Sequence, residues 1–199
     1  MSLRNSYRLI APFYDFVAGP LFAGARRASL ARLPLDASAE VLIDGVGTGL
    51  DLPYLPTLHR YTALDITRAM LVRAVRRGTD ANVVWVEGDS QRLPFRDGAF
   101  DYVVLHLILA VVPDGAEALR EAARVVKPGG RLLVFDKFLP RGRHAPLRRM
   151  LSPIAGRIAT RTDVVLEDLL DAVPGINVTE NRAAVAGGWF RYVTLQRTR

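Results

Sequence analysis

The sequence predicts an alternating α/β domain, a largely parallel sheet covered by helices on both faces. Three observations carry this. Short apolar runs, such as Val41-Leu42-Ile43 and Tyr102 to Leu109 with its single His106, read as strands buried on both sides. Between them lie segments with apolar residues at three- and four-residue spacing, the signature of helices packed on one face. Each run ends in a short polar turn: Asp44-Gly45, Asp65, Glu87-Gly88-Asp89 and Asp136. Ligands of open α/β sheets lie beyond the carboxyl ends of the strands, so chemistry is expected at these tips.

Taken in order, residues 1–35 read as two helices. Leu9, Ile10, Phe13, Phe16 and Val17 share one face, Gly19-Pro20 breaks the run, and a second helix spans about Leu21 to Leu33. Strand one is Val41–Ile43 and strand two Tyr61–Leu64. Thr67 is placed to cap the next helix, whose apolar face is Met70, Leu71, Ala74 and Val75. Strand three is Val83–Val86 and strand four Tyr102–Leu109. Pro113-Asp114 opens a helix to Val126, closed by Pro128-Gly129-Gly130, and strand five is Arg131–Phe135. Asp163–Ala172 reads as a helix. Ile176–Ala184 and Trp189–Leu195 read as a strand pair across Ala186-Gly187-Gly188. The 199 residues form one domain: N-terminal helices over 1–35, a core over 36–136, and substrate-side helices with the strand pair over 137–199.

A chain of this size buries enough surface to need no covalent or metal staple. It has no cysteine, which excludes a disulfide scaffold, a thiolate metal site and a cysteine nucleophile. The longest apolar run, Tyr102–Val112, has 11 residues and contains His106, whereas a membrane helix needs ~20. No signal-peptide pattern opens the chain, and a cytoplasmic location is expected. The net charge of +7 is uneven, with seven basic and no acidic residues between Lys137 and Arg161. Within it, Leu147, Met150, Leu151 and Ile154 alternate with Arg148, Arg149 and Arg157 at helical spacing, as in a helix that lies on an anionic membrane face. A genome rich in arginine gives the same excess, since 25 of the 27 basic residues are arginines.

Gly45, Gly47 and Gly49 free the backbone after strand one to turn sharply and approach a ligand. Their G-x-G-x-G spacing differs from the G-x-G-x-x-G of dinucleotide enzymes. Asp65 follows Gly45 by 20 residues, where a carboxylate accepts from ribose hydroxyls. Asp89, with Ser90 and the Leu93-Pro94-Phe95 segment, is placed to meet an adenine amine and ring. An ordinary tight turn, a helix-start acid and an Asp-containing turn would explain each feature singly. Three in register are less readily explained that way.

Together with Met70-Leu71, Phe100-Asp101 and Val125 to Gly130, these motifs resemble the class I S-adenosylmethionine-dependent methyltransferases over residues 40–136. The resemblance implies a Rossmann-like seven-stranded sheet of order 3-2-1-4-5-7-6, strand seven antiparallel, beneath an N-terminal helical lid. It places S-adenosylmethionine with its methionine part at Gly45, Val46, Gly47 and Thr48, its ribose at Asp65, and its adenine near Ile66, Asp89 and Ser90, with Met70 and His106 also among the cofactor-binding residues. Tyr7, Ala11-Pro12, Tyr14-Asp15, Gly19-Pro20 and Arg26-Arg27, Gly45 to Leu50 with Leu52-Pro53, and Leu109 to Asp114 further resemble small bacterial phosphatidylethanolamine N-methyltransferases and, next to them, quinone-biosynthesis C-methyltransferases.

There is one departure. The position two residues before Gly45 usually holds an acid; here it is Ile43, and the acid stands at Asp44. A shift of one residue along a strand turns a side chain to the other face.

Methyl transfer from a sulfonium needs alignment and exclusion of water, and a base only where the acceptor must lose a proton. His106 and Tyr14 are the candidates near the transferred methyl. His59 and His144 have no partner at ligand spacing, so no metal is expected. The expected acceptor is a small molecule or lipid, with a phosphatidylethanolamine-like amine ahead of a quinone or phenol. Other readings are a cofactor-binding protein without catalysis, an NAD oxidoreductase, and an RNA methyltransferase. The last lacks an Asn/Asp-Pro-Pro-Tyr motif and an aromatic stacking platform, so no nucleic-acid partner is expected.

Overall fold

The computed structural model describes residues 19–139 and 164–198. A helix over 19–30 (α1) precedes β1 (Glu40–Asp44), a 3-10 turn (Leu52–Tyr54), β2 (Arg60–Asp65), α2 (Arg68–Arg77), β3 (Asn82–Glu87), β4 (Phe100–His106), α3 (Gly115–Val125) and β5 (Val126–Lys137). Then come α4 (Leu166–Asp171), β6 (Ile176–Val185) and β7 (Phe190–Arg197). The seven strands lie in the order β3-β2-β1-β4-β5-β7-β6. β7 runs antiparallel to both β5 and β6, and the remaining neighbours pair in parallel. This is the sheet implied by the resemblance. The second of the two expected N-terminal helices is α1; the first, with Tyr14, and the basic stretch 141–161 lie outside the described residues.

The double coverage follows from alternation along the strands. Leu42, Leu64, Val103, Leu105 and Leu132 enter one core with Leu119 of α3. Val41, Ile43, Ala63, Val104 and Leu133 enter the opposite core with Leu71 and Ala74 of α2. A fully buried Leu or Val contributes roughly 1.5–3 kcal/mol, so these central strands anchor the domain. Phe22 and Ala25 of α1 pack on Phe135 of β5 and Tyr192 of β7. Arg32, just beyond α1, adds a two-point ion pair to Glu180 of β6 at 2.7 and 2.8 Å, with its guanidinium 4.6 Å from the Tyr192 ring centre.

Two local expectations change and one holds. Thr67 precedes α2 but makes no side-chain cap; its own N–H donates to Asp65 Oδ1 at 2.8 Å. Asp114 does cap α3, accepting from the N–H groups of Ala116 and Glu117 at 3.0 Å each. Pro128-Gly129-Gly130 lies within β5, whose extended backbone begins at Val126. A Cβ on Gly130 would stand 2.7 Å from the Asp101 carbonyl oxygen, so glycine there lets β5 close against β4 across a register shift.

Candidate functional site

The tips of β1, β2 and β4 meet around the glycine turn. Gly45 has φ +76°, and a Cβ there would lie 2.6 Å from Ile108, which follows β4. The turn can pass beneath that loop only without a side chain. Gly45 and Val46 both donate to the Leu64 carbonyl at 2.9 Å, pinning the turn to β2. Gly47 has φ +56°, and a Cβ there would meet nothing within 4 Å, so its outer side is open space. Its N–H donates to Asp65 Oδ2 at 3.0 Å. Thr48 is buried, and its carbonyl accepts from Arg77 Nε at 2.8 Å.

Each Asp65 oxygen thus accepts one backbone N–H and retains lone-pair capacity for a hydroxyl. Burial raises the Asp65 carboxyl above its ordinary range, against the lowering effect of those two N–H groups. Ile66, beside it, is 45% exposed at the strand tip, whereas Met70 is buried in the first turn of α2.

Asp44 occupies the opposite face from Ile43, as the one-residue shift requires, in register with Leu64 and Leu105. It is buried, and its Oδ1 accepts from the Ser90 hydroxyl at 2.5 Å. Its Oδ2 is buried with no hydrogen-bond partner among the described residues. Burial pushes the Asp44 carboxyl up to about 7; the Ser90 bond opposes this, and Asp65 and Asp89 add to it. The Ser90 hydroxyl is therefore engaged by Asp44 and withdrawn from solvent. Asp89 Oδ1 accepts from the Gln91 N–H at 2.9 Å. Asp44, Asp65 and Asp89 form a group of acids without a lysine or arginine ion pair among the described residues.

At the tip of β4, His106 is buried with both ring nitrogens engaged. Nδ1 lies 2.7 Å from Asp51 Oδ1 and Nε2 lies 2.8 Å from Ser29 Oγ. Asp51 Oδ2 accepts from Arg26 at 2.8 Å. Burial pushes the Asp51 carboxyl up, but Arg26 and His106 outweigh it and hold the group well below the usual carboxylate range. Asp51 lies just before the 3-10 turn, while Arg26 and Ser29 belong to α1. This cluster binds α1 to the sheet. Sequence reasoning marked Arg26 only as part of a resemblance and gave it no role, and it missed Ser29 and Asp51; a carboxylate two residues past Gly49, on a turn already suspected, was the signal for Asp51. Asp136, at the end of β5, accepts from the N–H groups of Ala110 and Lys137, which fixes the loop after β4, and burial pushes it up to about 6.

The residues present suit a cationic adenosyl cofactor. The open side of Gly47, the remaining lone pairs of Asp65, the exposed Ile66 and the unpartnered Asp44 oxygen offer space, hydroxyl acceptors, an apolar surface and negative charge at one end of the sheet. Residues 42–134 match the family described as a methyltransferase domain. The phosphatidylethanolamine N-methyltransferase of Cereibacter sphaeroides is 29% identical over 98% of this chain and 98% of its own. The demethylmenaquinone methyltransferase of Mycolicibacterium vanbaalenii is 34% identical over 90% of this chain and 82% of its own. Among solved structures, the [4+2]-cyclase SpnF superposes with a TM-score of 0.78 at 18% identity, covering 98% of this chain and 95% of its own. A putative methyltransferase from Bacillus halodurans superposes with a TM-score of 0.73 at 19% identity, covering 88% and 100%. Strand order, the turn after β1 and these relatives agree, and the chain belongs to the class I S-adenosylmethionine-dependent methyltransferases.

Proposed function

We propose that this methyltransferase acts on a lipid amine of the phosphatidylethanolamine class. The observation that carries the reading is the end-to-end match, 98% of both chains, with a relative named for that reaction. S-adenosylmethionine, when bound, supplies the electrophilic methyl group; the chain has to hold, orient and keep water away. Gly45, Val46, Gly47 and Thr48 form the turn proposed to receive the methionine part. Asp65 is proposed to accept from the ribose hydroxyls, and Ile66, Met70, Asp89 and Ser90 to border the adenine. His106 and Tyr14 are the proposed groups beside the acceptor. An amine that arrives uncharged brings its own lone pair, which suits a site whose histidine is held by Asp51 and Ser29. The basic stretch 141–161 supports contact with an anionic membrane surface. Among the described residues, no helix is long and apolar enough to cross a membrane.

The second reading is methylation of a quinone precursor, favoured by the 34% identity with a demethylmenaquinone methyltransferase. Carbon attack by a phenol ring needs a proton removed, and so needs His106 released from Ser29. Incubation with methyl-labelled cofactor separates the two. The lipid reading expects label in vesicles containing phosphatidylethanolamine and none in a demethylquinol; the reverse pattern overturns it.

Replacing Asp65 with Ala removes two ribose acceptors. At roughly 1.5–3 kcal/mol for a hydrogen bond to a charged group, S-adenosylhomocysteine binding is expected to weaken at least tenfold by calorimetry. The circular dichroism of the variant should match that of the parent. Unchanged affinity would remove Asp65 from the site.

A further inference from the structure

We infer that Asp44 is a specificity determinant that distinguishes the charged methyl donor from its neutral demethylated product. This rests on the cofactor placement proposed above. The first observation is geometric: Asp44 stands at the tip of β1, directly before the glycine turn, where the register gives it the face opposite Ile43. The second is an unmet bonding need. Its Oδ1 is held by Ser90, while Oδ2 is buried without a hydrogen-bond partner among the described residues. The third is the company it keeps. The acids that act on it electrostatically are Asp65 at the tip of β2 and Asp89 after β3, and Ser90 supplies the opposing hydrogen bond.

Desolvation and two neighbouring acids make the anionic form of Asp44 costly in the empty protein, and its proton is retained to about pH 7. A cation brought to the strand tips offsets that cost and drives the proton off. S-adenosylmethionine carries a sulfonium in addition to its balanced amino acid charges. S-adenosylhomocysteine, after the sulfur–methyl bond has broken, carries a neutral thioether and balanced charges only. The donor therefore gains attraction when Asp44 ionises, and the product gains less. After transfer, Asp44 can take its proton back, which loosens no contact with the product but withdraws the charge that favoured the donor. The preference for donor over product accordingly rises with pH across the titration of Asp44.

Binding of each ligand is to be measured by calorimetry at pH 6 and pH 8, on the parent protein and on Asp44→Asn. One unit of pKa difference corresponds to tenfold in an equilibrium constant. The ratio of donor to product affinity is expected to rise between pH 6 and pH 8 several-fold more in the parent, up to about tenfold, than in Asp44→Asn. The α-amino group titrates in both ligands, lower in the donor because of its sulfonium, and Asp44→Asn carries that contribution alone. At pH 7, buffers of different ionisation enthalpy should report proton release on binding the donor and less on binding the product. Ser90→Ala removes the bond that opposes protonation, and should shift the midpoint of the pH dependence upward. It serves as a second test should Asp44→Asn not fold. A flat ratio in the parent, or an equal slope in Asp44→Asn, overturns the inference and leaves the cofactor site intact. Failure of both ligands to bind the parent overturns the cofactor placement itself, and this inference with it.

Discussion

Replacement of Asp51 by Ala is expected to destabilise the fold by about 3–5 kcal/mol, because it strands Arg26 as a buried unpaired charge. The Asp51 carboxylate is shared between Arg26 and His106 at 2.8 and 2.7 Å, and all three side chains are withdrawn from solvent. Loss of either partner alone leaves a charge or a dipole without solvent or mate, which costs far more than the pair contributes when intact. For a chain of this size a kilocalorie moves the melting temperature by roughly 2–4 °C, so a drop of about 6 °C or more is expected in a thermal scan. Removing the charge together with its partner, as Arg26→Leu with Asp51→Leu, should recover part of the loss. Equal losses in the single and double variants would show that packing, and not the stranded guanidinium, sets the cost. The carboxyl is held low, so this contribution is present above the ordinary carboxylate range and is lost only in acid.

The second large effect has the opposite sign. Asp44→Asn should stabilise the cofactor-free protein at pH 8, by up to about 4 kcal/mol if its carboxyl sits at about 7 against roughly 3.9 unfolded. The direction follows from linkage. A group that holds its proton more tightly when folded gives its full support below the unfolded pKa, and this is lost as pH rises through the folded value. Asp136, pushed up to about 6, erodes stability over the same direction of pH. The parent should therefore melt at progressively lower temperature from pH 5 to pH 8. Asp44→Asn should melt above the parent by a margin that is small at pH 5 and grows steadily to pH 8. Asparagine keeps an oxygen for the Ser90 hydroxyl and removes the ionisation. A variant less stable than the parent at pH 8 would show that Asp44 is not held proton-bound by its surroundings.

Much of the sheet was legible because its signals are local. Val41–Ile43 and Tyr102–Leu105 are apolar at every position, which only a strand covered on both faces requires. The glycine turn and Asp65 were legible for a related reason: a turn, a strand end and a helix start lie within a few residues of each. What local signals could not show is which distant side chains share an interior. Arg26 and Asp51 are 25 residues apart, His106 and Asp51 are 55, and Ser29 and His106 are 77, and no periodicity links them. The departure at Ile43 was visible, as was the face to which Asp44 must turn, but not the Ser90 hydroxyl waiting there. Thr67 looked like a cap by residue type, yet its hydroxyl takes no N–H of α2; the Met70 N–H donates to the Thr67 carbonyl, and the N–H of Thr67 itself goes to Asp65. Gly130 reads as a helix stop in one dimension; in three it is the place where β5 slides past Asp101.

The antiparallel position of β7 has a consequence for how the chain is made. Phe135, Val134 and Leu133 face neighbours on β7 that are synthesised much later, and β6 reaches the sheet only through β7. During vectorial synthesis the flank of β5 stays open until β7 emerges, so the apolar edge waits uncovered while residues 138–189 are made. Assembly of this enzyme is therefore an end-loaded process, in which a nascent chain that stalls before β7 presents an adhesive border to its neighbours.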